Sequence, residues 1–99
     1  MACRVVVTPT AAEEVRDSFA YLAVLSPQAA KTFSSDYRAV VENIAHEVVE
    51  YRLSRIPELA AKGYRTALFN RYVLLYKKRS NTAYIAHVFH QSQDYARLV

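Results

Sequence analysis

The spacing of apolar positions changes along the chain, and each change marks an element. Cys3 to Thr8 is a β-branched run stopped by Pro9, which predicts a first strand. Thr10 followed three residues later by Glu13 has the form of a capping box, and Val15, Phe19 and Leu22 then recur at helical spacing. A first helix is expected from about Ala11 to Val24. Ser26 before Pro27 supplies an N-cap and a proline at the first helical position, so a second helix restarts after a very short break. In it Ala30, Phe33, Tyr37, Val40, Val41, Ile44 and Val48 form one apolar stripe, with Lys31, Asp36, Arg38, Glu42 and Glu47 on the wet side. Two helices with a tight connection predict a helical hairpin whose stripes need a sheet to cover.

Residues 52–63 carry less pattern. Pro57 excludes a continuing helix there, Glu58 to Lys62 fits one turn, and Gly63 is a natural stop. Beyond it Tyr64 to Phe69, Arg71 to Lys78 and Thr82 to His90 are rich in aromatic and β-branched residues, separated by Asn70 and by Ser80-Asn81. They predict an antiparallel meander, its last two strands joined as a hairpin. The expected order is strand, helix, helix and three strands, in one domain spanning residues 1–99.

Composition narrows the class. With 53% hydrophobic residues, eight Tyr and four Phe against one Gly and three Pro, the chain is too apolar to be disordered. A single cysteine, Cys3, allows no internal disulfide and no thiolate cluster, which fits a reducing, cytoplasmic setting. The apolar runs fall far short of the ~20 residues that span a bilayer, so a soluble protein without a membrane partner is expected. Charge divides the chain unevenly. Residues 51–99 hold nine Lys or Arg and two acids, a balance of +7, whereas residues 1–50 hold four basic and seven acidic residues, a balance of −3. Such segregation points to a basic surface built by the sheet half.

Four motifs then appear in order: Ser26-Pro27-Gln28-Ala29-Ala30 opening the second helix, Lys62-Gly63-Tyr64-Arg65 entering the sheet, Asn70-Arg71-Tyr72-Val73-Leu74-Leu75-Tyr76, and the ending His87-Val88-Phe89-His90-Gln91-Ser92-Gln93-Asp94-Tyr95. With them the sequence resembles, over its whole length, the RelE/ParE superfamily of bacterial type II toxin–antitoxin modules. The resemblance implies an α+β fold in which an N-terminal strand and a two-helix hairpin accompany a curved antiparallel sheet. It implies growth inhibition relieved by a cognate antitoxin whose extended or helical segment wraps the toxin, and a basic sheet beside an apolar helical hairpin suits an acidic, amphipathic one. ParE-like members poison DNA gyrase and so block replication; RelE-like members cleave mRNA on the ribosome; a third possibility is an inactive member that only binds its antitoxin. The ParE-like reading is preferred here, because His-Gln-Ser-Gln-Asp resembles ParE endings and Lys62 stands alone where a RelE-like nuclease has a lysine-rich stretch.

Candidate chemistry lies in the same half. Cleavage through a 2′-hydroxyl needs a base, an acid and cationic support at the phosphate, with no obligatory metal or cofactor. Arg65, His90 and Tyr95 are the catalytic candidates if the chain is a nuclease: a guanidinium for phosphate charge, an imidazole that titrates near neutrality and a ring able to stack on a base. Arg65, Arg71, Lys77, Lys78 and Arg79 are the candidates for contacting nucleic acid or another target, with Asp94, His87 and Tyr64 in support. In an undistorted strand His87 shares parity with Ile85 and Phe89, while His90 shares it with Tyr84, Ala86 and Val88. The two imidazoles are therefore expected on opposite faces, His90 toward the site with Asp94 orienting it, and His87 structural. Glu13, Glu14 and Asp17 are expected only to favour the first helix dipole. His46 near Glu42 and Glu50 makes a poor metal site.

Overall fold

Thr8, rather than Thr10, opens the first helix. In the computed structural model, which describes residues 2–99, β1 (Arg4–Val7) passes into α1 (Pro9–Leu25) through this single residue. The Thr8 hydroxyl oxygen accepts from the Ala11 N–H at 3.2 Å and donates to the Ile85 carbonyl at 2.9 Å. Pro9 takes the first helical position, where its missing N–H has no partner to lose. Thr10 lies inside the first turn and does not cap.

The second helix, α2 (Pro27–Ala45), starts as its sequence predicts, with Ser26 Oγ accepting from the Ala29 N–H at 3.3 Å. Ala30, Phe33, Val40 and Ile44 are buried, and Tyr37 and Val41 pack against them. Val48 does not continue the stripe. Glu47 takes a positive φ of 55° just past the helix, and Val48 beyond it is 71% exposed. A short helix, α3 (Pro57–Ala61), follows, and Gly63 at φ 86° turns the chain into the sheet.

Strands β2 (Arg65–Phe69), β3 (Tyr72–Arg79) and β4 (Thr82–His90) form the expected meander, with Asn70 and Ser80 at positive φ in the two turns. The sheet order is β1-β4-β3-β2. β1 pairs in parallel with β4, from Arg4 opposite Thr82 to Val7 opposite Ile85, so the sheet is mixed rather than wholly antiparallel. The cause is topological. β1 and β2 occupy opposite edges and run the same way, and the helical hairpin carries the chain between them across one face.

Both faces of the sheet are used. Under the helices Phe33, Val40 and Ile44 pack on Phe69, Tyr72, Leu74, Tyr76, Ile85 and Val88. On the other face Leu59, Val73, Leu75 and Phe89 gather Ile56, Tyr64, Tyr95 and Val99 into a smaller core. Tyr72 to Tyr76 is consequently buried without a break, as expected of a central strand covered on both sides. No helix among the described residues is long and apolar enough to cross a membrane.

Candidate functional site

A bulge decides where the two sheet histidines point. Leu75 opposes His87 while Tyr76 opposes Ile85, which leaves Ala86 as an extra residue in β4. Ile85 and Val88 therefore both enter the core beneath the helices. His87 keeps company with Phe89, their rings stacked at 4.8 Å, but no longer with Ile85. The bulge precedes both histidines, so His87 and His90 still leave the strand on opposite sides.

His90 lies beside the helices, its ring edge-on to Tyr72 at 5.2 Å. Its Nδ1 accepts from the Ser92 N–H at 3.1 Å and meets Ser92 Oγ at 2.6 Å, which leaves Nε2 as the protonated nitrogen of the neutral ring. Asp94, expected to orient this imidazole, instead pairs with Arg97 at 3.1 Å; the two-residue reach of Ser92 wins over Asp94. Gln93 closes the turn by accepting from the His90 N–H at 3.0 Å.

Glu14 was expected to serve only the helix dipole, and it does more. β1 covers β4 only as far as Ile85, and past that point the Glu14 carboxylate lies against the bare edge. It accepts from the Val88 N–H at 3.0 Å and approaches His87 Nδ1 at 3.2 Å. Seventy-three residues separate Glu14 from His87, so no local sequence signal marks the pair.

The other candidates lie apart. Arg65 opposes Tyr76 whereas His90 opposes Tyr72, on the two flanks of β3. Four residues along a strand and two strand spacings across put them about 13 Å and about 10 Å apart in the two directions. Arg65 is committed locally, with Nη1 donating to the Tyr51 carbonyl at 2.6 Å. It lines a recess of about 260 Å³ with Ile44, Glu47, Tyr76 and Lys78. There burial pushes the pKa of the Tyr76 hydroxyl up, disfavouring its ionised form, and the Arg65 charge opposes the rise. Tyr95 stacks on Phe89 at 6.1 Å on the face turned away from α1 and α2. Burial likewise raises the Tyr72 hydroxyl, next to His90.

The basic residues divide between the two ends of the sheet. Arg71 stands at the β2–β3 turn, its carbonyl accepting from the Gln91 N–H at 2.8 Å, and shares a recess with Tyr21, Leu25 and His90. At the opposite end Lys62, Lys77, Lys78 and Arg79 surround a concavity beside Tyr84. Lys77 sits over the Tyr64 ring at 4.4 Å, and Lys78 Nζ donates to Glu47 at 2.9 Å. That bond holds the Glu47 carboxyl below its ordinary ionisation range and raises that of Lys78. The arrangement offers two charged ends and an exposed apolar corner at Tyr21, Val24 and Leu25. It does not bring Arg65, His90 and Tyr95 around one point; His90 instead shares its recess with Arg71, Tyr21 and Tyr72.

Comparison with known proteins adds family to geometry. No curated protein matches the chain. Among solved structures, one named "Chromosomal ParDE TA system from P. aeruginosa" superposes with a TM-score of 0.71 at 17% identity, covering 90% of this chain and 96% of that one. At that identity the likeness speaks for the fold, the same α+β arrangement described above. The sequence carries the stronger result: residues 5–95, from β1 to the Tyr95 that stacks on Phe89, match the family described as "ParE toxin of type II toxin-antitoxin system, parDE". A match over nearly the whole folded chain places this protein in the ParE family of type II toxin–antitoxin toxins.

Proposed function

We propose that the toxin inhibits growth by binding its target, with DNA gyrase and therefore replication as that target, until an acidic segment of its antitoxin covers it. The separation of Arg65, His90 and Tyr95 speaks against the nuclease set expected from the sequence and so supports the binding mode. Phosphoryl transfer needs its base, acid and cationic support within hydrogen-bond reach of one phosphate. Here the guanidinium is held by Tyr51, the imidazole lies at the other end of β3, and the phenol lies on the opposite face. Binding needs only shape and charge, which the exposed Tyr21, Val24 and Leu25 corner beside Arg71 supplies. The P. aeruginosa structure is named a ParDE system, which supports an antitoxin partner for this chain.

The test is to induce the chain from a tight promoter and follow labelled thymidine and labelled amino acid in parallel within minutes. Early loss of DNA synthesis while translation continues is the expected result. An early translation block with cut mRNA would replace this reading by the ribosome-dependent nuclease. Absence of any growth effect at verified soluble expression would leave antitoxin binding as the whole activity. His90→Ala is expected to weaken toxicity without abolishing it, as measured by colony counts after induction.

A further inference from the structure

β2 is an outer strand, and only half of its outer edge is covered. The segment ahead of α3 lies against the first half: Ser54 N–H donates to the Tyr64 carbonyl at 2.9 Å, and Thr66 N–H donates to the Arg52 carbonyl at 2.9 Å. Backbone groups alternate direction along a strand, so Leu68, two residues past Thr66, also turns its N–H and C=O outward. Among the described residues no strand lies beyond it, and the isolated bridge of the preceding segment stops at Leu53 and Arg65. The chain vacates this slot because Tyr51 is drawn inward, its hydroxyl accepting from Asn43 at 3.4 Å and its ring meeting Tyr76 edge-on.

Next to the bare edge runs a groove of about 500 Å³ with Leu53, Leu68 and Tyr95 as its apolar wall, and its charged lining is Arg52 and Arg55 against a single acid, Glu50. Leu68 is 62% exposed. Thr66 also lines the groove, and its buried Oγ1 has no hydrogen-bond partner among the described residues. Two unrelated observations thus meet at one place: an unpaired backbone edge and an unpaired hydroxyl.

We infer that this slot seats an extended acidic segment of the antitoxin, added as a fifth strand beside Leu68. The inference rests on the toxin–antitoxin reading above and assigns that partner a position. Strand addition satisfies the outward Leu68 groups, and the incoming side chains cover Leu53 and Leu68. Arg52 and Arg55 outweigh Glu50 in this lining and so favour acidic residues in the incoming segment. An exposed edge left open is otherwise a site for unwanted pairing.

The experiment is amide hydrogen exchange on the full chain, free and in complex with the co-encoded antitoxin. The Leu68 amide is expected to exchange rapidly in the free chain and at least about tenfold more slowly in the complex. The double variant Arg52→Glu/Arg55→Glu, which changes exposed side chains only, is expected to weaken the complex by about tenfold or more. Leu68→Pro removes the outward N–H while sparing the ladder to β3, as prolines on edge strands do, and is expected to weaken it similarly. A complex that forms with Leu68 exchange unchanged, and with affinity for the double variant unchanged, would overturn the placement while leaving the toxin–antitoxin reading intact. A folded chain that forms no complex would overturn both.

Discussion

Glu14 shows how one carboxylate can do the work of a missing strand residue. The Val88 N–H would be an unpaired donor at the edge of β4 without it, and His87 would lose its fixed partner. Leaving a partly buried donor unsatisfied costs about 1–3 kcal/mol, so Glu14→Ala is expected to lower stability by about that much in urea unfolding. Glu14→Gln keeps an acceptor for Val88 and is expected to lose less. The Glu47–Lys78 pair is different, since both side chains keep about a third of their surface in solvent and such surface pairs add little. Its signature is in titration rather than stability. Glu47 is held low, so its contribution is present above its unfolded value and fades as pH falls through the folded one. Lys78 is raised, so its share is present below the unfolded lysine value and fades as pH rises through the folded one. The pair is therefore complete around neutrality, and Lys78→Met is expected to move the Glu47 carboxyl back up in an NMR titration.

At the scale of elements, most of the architecture was legible because local rules and burial agree. Ser26-Pro27 opened α2 as predicted, Gly63 stopped α3, and the three aromatic-rich runs became β2, β3 and β4. The misjudged boundaries share a cause. Pro9 fits both the end of a strand and the start of a helix, and only the bonds of Thr8 to Ile85 settle which role it takes. Val48 fits the helical spacing, yet the left-handed turn at Glu47 releases it. The bulge at Ala86 was invisible, since it depends on the register between β3 and β4. Thr8→Ala is expected to cost about 1–2 kcal/mol through loss of the cap. Gly63→Ala meets no atom, because an added Cβ there would have nothing within 4 Å, so its expected cost of about 1 kcal/mol is backbone strain alone. Thermal or urea unfolding of each variant measures both.

For the whole molecule, charge segregation did translate into structure, with Lys62, Lys77, Lys78 and Arg79 at one end of the sheet, Arg71 at the other and Arg52 and Arg55 along the β2 edge. The candidate site was legible as a set of residue types and illegible as a geometry. Arg65, His90 and Tyr95 fall within 31 positions of one another, yet β3 lies between the first two, and the third belongs to the opposite core. Saturation with antitoxin at 100 times its Kd is expected to stabilise the fold by about 2.7 kcal/mol, read as a rise in Tm. An unchanged Tm at that concentration would remove antitoxin binding from the account.

The parallel pairing of β1 with β4 also sets an order of assembly. Thr8 and Ile85 meet across 77 positions of chain, whereas each strand of the meander finds its neighbour across a two-residue turn. Closing the long loop is entropically the slower event, so the meander is expected to form first and β1 to dock late. Truncations in β1, such as Val5→Ala, should then speed unfolding and leave the folding rate nearly untouched, while Leu74→Ala slows folding itself. Until that last strand arrives, Ile85 has neither the amide nor the hydroxyl of Thr8 to hold, and the toxin's outline is unfinished.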